Sequence, residues 1–353
     1  MAFPELPAAQ RGGGSGGGDP KAKISGPTMA TGRAVRVSVV LCTHTRDRYE
    51  HLVAAARSVQ DGTYEDVELV LVSDGSPTVA ELMREEFAQA IAAGTCVVAE
   101  LDRNSGLLAA RNRGAAKANG DIVAFLDDDA IADERWLERL VEPYQTGSRR
   151  AVGGRVTPAW VAPGGEPGFL PAEFHWLVGV THRGFGPGGG ADGITSEGEV
   201  RNTNGSNLSF ESETFRSLDG FDTEIVGRKG ANHLQGGETE LCARLRSEFD
   251  EGVWYVPTAT VAHKVFQYRT EVDWLLRRAF WQGYSKRAMQ SIAPSSGDDE
   301  QAFLTDLLGE FLPRRLRALV LGPSWRRLAQ LAFLLVGTVA VGLGYLYGVV
   351  SYR

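Results

Sequence analysis

Three consecutive aspartates, Asp127, Asp128 and Asp129, directly follow the apolar run of residues 122–126. Adjacent carboxylates repel one another unless a cation neutralises them, and carboxylate oxygens are ligands that hard divalent ions such as Mg²⁺ and Mn²⁺ prefer. When one or two carboxylates hold such an ion, water and substrate phosphates usually complete its coordination. The motif therefore predicts a metal site for a diphosphate substrate, and a solvated acidic turn is the alternative.

Two residues in the second half of the chain are further candidates for the same site. Glu238 follows a pair of glycines in the first turn of a predicted helix, where its carboxylate could act as a general base or cap the helix. His263 ends an apolar run, and its imidazole would be a suitable third ligand for Mn²⁺ beside Asp127 and Asp129. A purely structural histidine is the alternative for His263.

Residues that could bind a nucleotide precede the aspartates. In the segment 104–114, Gly106 would let the backbone approach a ligand closely, and Arg111 carries a charge with a geometry suited to phosphate. Asp74 ends a second apolar run. Its carboxylate could accept a hydrogen bond from a nucleoside, or it could form an Asx turn.

These residues need strands and helices to position them. Apolar runs predict strands over residues 35–42, 67–72, 96–100 and 121–126, and helical periodicity covers 49–59, 79–93 and 107–118. This alternation predicts an α/β fold with a mostly parallel central sheet flanked by helices. Ligands of such sheets bind beyond the carboxyl ends of the strands. Asp74 and the three aspartates lie there, and residues 151–264 would complete the sheet and the acceptor side.

Together these segments resemble the family 2 glycosyltransferases over roughly residues 35–264. The matching positions are Thr43 and Arg46 after the first strand, Asp74, the segment 104–114, Asp127 and Asp129, the Gly-Ser-Asn segment 205–207, and Glu238. The family usually has an Asp where this chain has Glu238. The resemblance implies a GT-A fold and an enzyme that transfers sugar from a nucleotide donor. The chain has no QxxRW motif, which argues against a processive polymerase.

The resemblance also implies roles for the matched residues. The donor would be bound by Thr43, Arg46, Asp74, Gly106, Arg111, Asp127 and Asp128. A Mn²⁺ or Mg²⁺ ion on the diphosphate would be held by Asp127, Asp129 and His263. Glu238 would remove the proton from the acceptor hydroxyl in an inverting displacement, and Gly205 and Asn207 would lie on the acceptor side.

The segments 169–185, 236–244 and 263–287 are similar to haloarchaeal glycosyltransferases that add glucuronic acid to a dolichyl-phosphate-linked hexose during protein N-glycosylation. This similarity implies a UDP-glucuronate donor and a dolichyl-phosphate-linked sugar acceptor. Three alternatives stay open. They are a family 2 enzyme with another donor and acceptor (exopolysaccharide or glycolipid synthesis), a sugar nucleotidyltransferase, and a membrane-tethered inactive scaffold.

The composition and the two ends of the chain suggest where the protein works. The 353 residues carry a net charge of −7, which argues against a nucleic acid partner. Residues 1–34 are rich in glycine and are predicted to be disordered, and Met29 is an alternative start. We assign residues 35–264 to the glycosyltransferase domain and 265–325 to amphipathic, membrane-proximal helices, of which the second is predicted to break at Pro313.

Residues 326–353 are predicted to be a transmembrane anchor. Residues 328–350 contain no charged side chain, and this stretch is long enough to cross a bilayer. Five arginines lie between residues 314 and 327, and only Arg353 follows the apolar stretch. The positive-inside rule then places the catalytic domain in the cytoplasm, with a single C-terminal span in the cell membrane. A buried helix of a soluble protein is the alternative.

Overall fold

The computed structural model describes residues 35–187, 189, 193–224, 227–229, 232–292 and 304–351. The glycine-rich segment 1–34, for which we predict disorder, lies outside the described residues, and so does the alternative start at Met29.

The first half of the chain forms the parallel part of a central sheet. Its strands are β1 (Val37–Thr43), β2 (Val67–Asp74), β3 (Cys96–Leu101) and β4 (Ile122–Asp127), and its helices are α1 (Tyr49–Gln60), α2 (Pro77–Glu86), α3 (Ala88–Ala92) and α4 (Leu107–Ala115). The strands pair in parallel, as the sequence predicts, and their order in the sheet is β3–β2–β1–β4. Because β2 and β4 lie on opposite sides of β1, a crevice can open beyond the ends of β1 and β4.

One predicted helix differs from the structure. The helix expected over residues 79–93 is divided at Phe87, which separates α2 from α3. The Phe87 side chain is buried in the core, while its backbone (φ −103°, ψ 21°) leaves the helical region.

The second half of the chain completes the sheet and makes it mixed. It adds the strands β5 (Ala130–Ala132), β6 (Ala151–Trp160), β7 (Gly198–Val200), β8 (Leu208–Glu211), β9 (Gly227–Lys229), β10 (Asn232–Leu234) and β11 (Val253–Val265), and the helices α5 (Trp136–Gly147), α6 (Ser212–Ser217) and α7 (Gly237–Phe249). Within the described residues the main sheet has nine strands in the order β3–β2–β1–β4–β8–β6–β11–β5, with β7 also paired to β11. Strand β8 runs antiparallel to both of its neighbours, whereas β6 and β11 are parallel to each other. The strands β9 and β10 form a separate pair.

Apolar side chains cover both faces of the sheet. Along β1, Val39 and Leu41 pack on the side that holds Leu140 of α5. Val40 packs on the opposite side, which holds Leu241 of α7. Burial of this apolar surface is the main stabilising contribution. It fixes the strand ends from which the polar residues of the site project.

The chain after β11 is helical. A short 3₁₀ turn (Gln267–Thr270) precedes α8 (Val272–Ile292), and a π turn (Leu307–Phe311) leads into α9 (Leu312–Leu321) and α10 (Trp325–Ser351). The predicted break at Pro313 is absent. Instead the N–H of Leu312 donates to the carbonyl of Leu307 across the wider π turn, and Pro313 falls at the start of α9, where a missing N–H is tolerated.

Helix α10 has one face that packs against the described part of the chain and one face that this part leaves exposed. It is the one helix among the described residues that is long and apolar enough to cross a membrane. On its inner face Phe333 contacts Phe169 and Phe174. Its outer face exposes Leu335, Val336, Val339, Leu343, Leu346 and Val350.

Most of the five arginines between residues 314 and 327 are engaged within the protein. Arg314 and Arg315 both pair with Glu173, whose side chain is fully buried, and the Arg314 pair measures 3.0 Å. Arg326 pairs with Glu166 at 3.2 Å. The same charges that support the positive-inside argument therefore also fasten the C-terminal helices to the catalytic domain.

Glycines let α8 and α10 approach each other closely. A methyl group at Gly344 would overlap the carbonyl oxygen of Phe280, and a methyl group at Gly283 would overlap the carbonyl oxygen of Val341. Small residues at a helix interface allow this kind of backbone contact. The contact makes α8 and α10 a packed pair.

We expect Gly344→Ala to lower the stability of the detergent-solubilised protein by about 1 to 3 kcal/mol, because the added methyl group must push α8 and α10 apart. Gly342→Ala is the matched control, since a methyl group there meets no atom of the described residues within 4 Å. It should be neutral or stabilising by about 0.5 to 1 kcal/mol, as for Gly→Ala in an open helix position. Thermal unfolding measures the stability of both variants. Equal melting temperatures of Gly344→Ala and Gly342→Ala would contradict the close packing of α8 on α10.

Candidate active site

The carboxylate cluster lies where β4 ends. Asp127 is the last residue of β4, and Asp128 and Asp129 follow it. Strand β11 reaches the same place because His263 pairs with Ala130, the residue after the aspartates. Side-chain ligand atoms of Asp127, Asp129 and His263 lie within 4.8 Å of one another. Two carboxylates and an imidazole at this spacing can hold a divalent metal ion.

The chemistry of this donor set fits such an ion. His263 Nε2 lies 3.2 Å from Asp129 Oδ1. Its Nδ1 is buried and has no hydrogen-bond partner among the described residues. This nitrogen is therefore available to coordinate a ligand. Leaving a buried ring nitrogen without any partner costs free energy, which a bound ion would relieve. The structure thus brings together the three residues that the sequence suggests as metal ligands.

Two arginines that we did not predict contact the same aspartate. Arg48 Nη1 lies 3.0 Å from Asp129 Oδ2, and Arg269 Nη2 lies 3.7 Å from it. Burial alone would raise the pKa of Asp129, but the hydrogen bond from His263 and the charges of both arginines hold it well below its ordinary value. Arg48 shares its turn with the predicted Arg46, so a sequence signal existed for that turn. Arg269 lies in the segment 263–287 that resembles the haloarchaeal enzymes, but no motif within that segment indicates a role for it.

Asp128 has the opposite electrostatic behaviour. Burial raises its pKa to about 6, and Arg48 at 3.9 Å offsets this only in part. Its negative charge is therefore poorly stabilised by the described residues. A neighbouring divalent cation would remove that cost.

We expect Asp128→Asn to stabilise the metal-free protein by about 1 to 3 kcal/mol at pH 7.5, because the unfolded chain ionises Asp128 more readily than the folded protein does. The folded-state pKa of about 6 lies above the ordinary value of 3.8. The cost of ionisation is therefore complete above pH 6 and disappears as the pH falls towards 4. Melting temperatures of both proteins in chelator across this range test the sign. If the extra stability of Asp128→Asn did not depend on pH, the raised pKa of Asp128 could not be its cause.

Arg111 joins the candidate base to a metal ligand. Its Nη1 lies 2.8 Å from Glu238 Oε1 and its Nη2 lies 2.8 Å from Asp127 Oδ1, and only 3% of its side chain is exposed. Burial alone would lower the pKa of Arg111, but the charges of Asp127 and Glu238 raise it, so the guanidinium stays charged. Arg111 is therefore committed to two protein carboxylates as well as being a predicted donor contact.

Glu238 lies in the first turn of α7, as predicted. Its carboxylate accepts a hydrogen bond from Arg111 rather than from the backbone N–H groups at the start of its own helix. Gly205 lies directly against this pair, because a methyl group there would overlap both Glu238 Oε1 and Arg111 Nη1. The structure therefore favours an active-site position for Glu238 over a helix cap and places Gly205 beside it.

Asn207, expected on the acceptor side, has a different environment. Its side chain is fully buried. Its Oδ1 accepts a hydrogen bond from Trp136 Nε1 at 2.8 Å, and its Nδ2 donates to the carbonyls of Arg155 (3.0 Å) and Ala259 (2.8 Å). An amide with these three partners cannot also face a substrate. Asn207 positions the segment that carries Gly205 instead of contacting the acceptor.

Two of the predicted donor residues are Asp74, at the end of β2, and Gly106, directly before α4. Asp74 accepts hydrogen bonds from the backbone N–H groups of Ser105 (2.7 Å) and Gly106 (2.9 Å). Gly106 has φ +94°, a conformation that glycine adopts without strain, and faces open space. Asp74 thus shapes the loop that begins the helix of Arg111.

Thr43 and Arg46 lie near each other in sequence but differ in exposure. Thr43 is buried at the end of β1, opposite Ser73 of β2. Arg46 is exposed in the turn that follows. From that turn it is Arg48, two residues later, that reaches the aspartates.

Comparison with known proteins identifies the family. The model of glycosyl transferase family 2 matches residues 38–163. The chain is also 43% identical over 318 residues to the glucosyl-dolichyl phosphate glucuronosyltransferase of Haloferax volcanii. This alignment covers 90% of the present chain and 97% of the Haloferax protein. This chain belongs to glycosyltransferase family 2. The prediction of a glycosyltransferase is confirmed, and the sugar nucleotidyltransferase alternative is excluded.

Solved structures support the fold of this family 2 enzyme. The mannosyltransferase PcManGT from Pyrobaculum calidifontis, in complex with GDP-Man and Mn²⁺, superposes with a TM-score of 0.54 over 90% of this chain and 88% of that chain, at 15% identity. GalNAc-T7 with UDP, GalNAc and Mn²⁺ gives 0.50 over 78% of this chain and 55% of that chain, at 16% identity. The predicted GT-A fold is confirmed.

Proposed function

We propose that this enzyme transfers glucuronic acid from UDP-glucuronate to a dolichyl-phosphate-linked hexose, as a step of protein N-glycosylation. The 43% identity along nearly the whole length of the Haloferax volcanii glucuronosyltransferase is the observation that carries the proposal. The site is compatible with this chemistry, because a carboxylate that can accept a proton lies next to a cluster that can hold a metal ion. Another donor and acceptor within family 2 is the second candidate.

The proposed reaction is a single inverting displacement at the anomeric carbon. Asp127, Asp129 and His263 would hold Mn²⁺ or Mg²⁺, which supplies positive charge to the diphosphate leaving group. Glu238 takes the proton from the acceptor hydroxyl as that oxygen attacks. Arg111 keeps this base and Asp127 in a fixed relation, because it donates a hydrogen bond to each. Asp74 orders the loop of Gly106, which we assign to the donor side.

Label transfer tests the proposal. Membranes containing the full chain are given a panel of UDP-sugars and a dolichyl-phosphate-linked glucose, with Mn²⁺ or with chelator. We expect metal-dependent transfer from UDP-glucuronate and none from UDP-glucose or UDP-N-acetylglucosamine. Transfer from another donor would keep the family and exclude the proposed sugar. Donor binding without transfer to this lipid would exclude the proposed acceptor.

The enzyme is further proposed to work at the cytoplasmic face of the cell membrane, held by α10 as a single C-terminal span. The exposed apolar face of α10 supports this, because apolar surface of that extent normally contacts lipid or protein. A dolichyl chain stays in the bilayer, so a membrane-bound enzyme meets its acceptor at high effective concentration.

We expect Val339→Asp combined with Leu343→Asp to lower the membrane-bound fraction at least about tenfold, since each central Asp costs about 2.5 to 3.5 kcal/mol in a membrane helix. Val161→Asp is the control, because Val161 is similarly exposed but lies outside α10. Recovery in the carbonate-washed membrane pellet is measured. Equal recovery of both variants would exclude α10 as the membrane contact. A C-terminal tag that stays protected in right-side-out vesicles would exclude the span.

A further inference from the structure

Arg278 is an arginine that has no carboxylate partner among the described residues. Its Nε atom is shielded from solvent and lacks a hydrogen-bond partner there. Burial, together with the charge of Arg269, lowers the pKa of Arg278 to about 10, and the charge of Glu238 opposes this. An N–H group of a guanidinium that is shielded from water without a hydrogen-bond partner costs free energy. Such a residue is a candidate for contact with a ligand.

The position of Arg278 on α8 directs it towards the candidate base. On the same helix, Gln282 Nε2 donates to Gln235 Oε1 at 2.6 Å, and Ser285 Oγ accepts from the backbone N–H of Gln235 at 3.0 Å. Arg278 precedes Gln282 by four residues and Ser285 by seven, so all three lie on one face of the helix. Gln235 is three residues before Glu238, and this face of α8 therefore packs on the segment that leads to the base.

Arg269 connects Arg278 to the metal-ligand cluster. Arg269 Nη2 lies 3.7 Å from Asp129, and its charge acts on Arg278. Arg111 separately links Glu238 to Asp127. Arg278 therefore lies within electrostatic range of Glu238 and of Arg269, and Arg269 in turn contacts the metal ligand Asp129.

We propose that Arg278, assisted by Arg269, binds an anionic oxygen group of a reactant beside Glu238. This inference rests on the proposed function, which offers two sources of that group: the carboxylate of the donor sugar and the phosphate of the lipid-linked acceptor. The planar guanidinium suits both, because it can donate two parallel hydrogen bonds to a carboxylate or a phosphate.

The variants that test this are Arg278→Gln, which removes the charge, and Arg278→Lys, which keeps it without the planar fork. Arg277→Gln is the matched control. Arg277 is the preceding residue on α8, but its side chain is 70% exposed and pairs with Asp273 at 2.8 Å. All variants are made in the full chain, and their melting temperatures are compared with that of the wild type.

Two measurements separate the sources. Calorimetry with Mn²⁺ gives the affinity for UDP-glucuronate, UDP-glucose and UDP. If the group is the carboxylate, Arg278→Gln lowers the affinity for UDP-glucuronate by about 10- to 100-fold, as expected for the loss of a charged hydrogen bond. The affinities for UDP-glucose and UDP then change by less than about twofold. If it is the phosphate, donor affinities stay unchanged and the KM for glucosyl-phosphoryl-dolichol rises by the same factor, while that for an alkyl glucoside does not. In either case Arg278→Lys should lie between the wild type and Arg278→Gln.

The inference is overturned if Arg278→Gln matches Arg277→Gln in both measurements while the wild type is active. In that case the proposed function stands and Arg278 is a structural residue. A wild type that binds no uridine donor and transfers no sugar overturns the proposed function and this inference together.

Discussion

Replacing Glu238 with Gln is expected to lower kcat by about 10²- to 10⁴-fold, the usual range for a lost general base. Gln has nearly the shape of Glu and can still accept the hydrogen bond from Arg111, but it cannot take a proton. Donor affinity should therefore change little, since the metal ligands and the loop held by Asp74 remain. Single-turnover transfer and UDP-glucuronate binding measure the two quantities separately.

Two further variants make this result interpretable. Glu248→Gln changes an exposed residue near the far end of α7 and should leave kcat unchanged. Glu238→Asp introduces the residue that the family usually has, whose side chain is one methylene shorter. It should keep a measurable part of the activity if the two residues differ only in how far the carboxylate extends towards the acceptor hydroxyl. If Glu238→Gln instead retained kcat and lost melting temperature, the residue would serve stability and another group would have to be the base.

The parallel half of the fold was predictable because its signals are local. Apolar runs such as residues 67–72 are buried on both faces, and the acidic or glycine-rich turns that follow mark strand ends. Those ends meet at one edge of a parallel sheet, which is why the aspartates, Asp74 and Gly106 come near one another. The topology of the second half was not predictable in the same way. Strand β8 enters antiparallel between β4 and β6, and that choice depends on tertiary packing.

The site residues divide in the same manner. His263 could be suggested from its position at the end of an apolar run, but the contact with Asp129 requires β11 to pair with β5. Arg269 follows in a turn whose position depends on that pairing, so the resemblance of the segment 263–287 could not indicate its contact with Asp129. Asn207 shows the reverse case. Its motif indicates a functional segment, but burial beneath Trp136 uses its amide for structure, and only the neighbouring Gly205 reaches the base.

Replacing Asp129 with Asn is expected to lower metal-dependent transfer by about 10³-fold or more, since a metal ion supplies several kcal/mol of charge stabilisation to such a transition state. Binding of Mn²⁺ to the folded protein should also raise the melting temperature of the wild type. At a Mn²⁺ concentration of about 100 times the dissociation constant, the free energy of unfolding rises by about 2.7 kcal/mol. Asp129→Asn should show little of this gain. Asp102→Asn, at an exposed position in the loop before α4, should show all of it.

The difficulty with Asp129 is that it also has two arginine partners and a histidine partner. Arg48 and Arg269 would lose their carboxylate, so Asp129→Asn should lower stability even in chelator, whether or not the site binds metal. The informative quantity is therefore the rise in melting temperature on adding Mn²⁺, measured for each protein against its own value in chelator. A structural role alone lowers both values and leaves the rise intact. A ligand role removes the rise, and the activity that remains should no longer depend on Mn²⁺. An Asp129→Asn protein that keeps both the rise and metal-dependent transfer would show that the ion is held elsewhere.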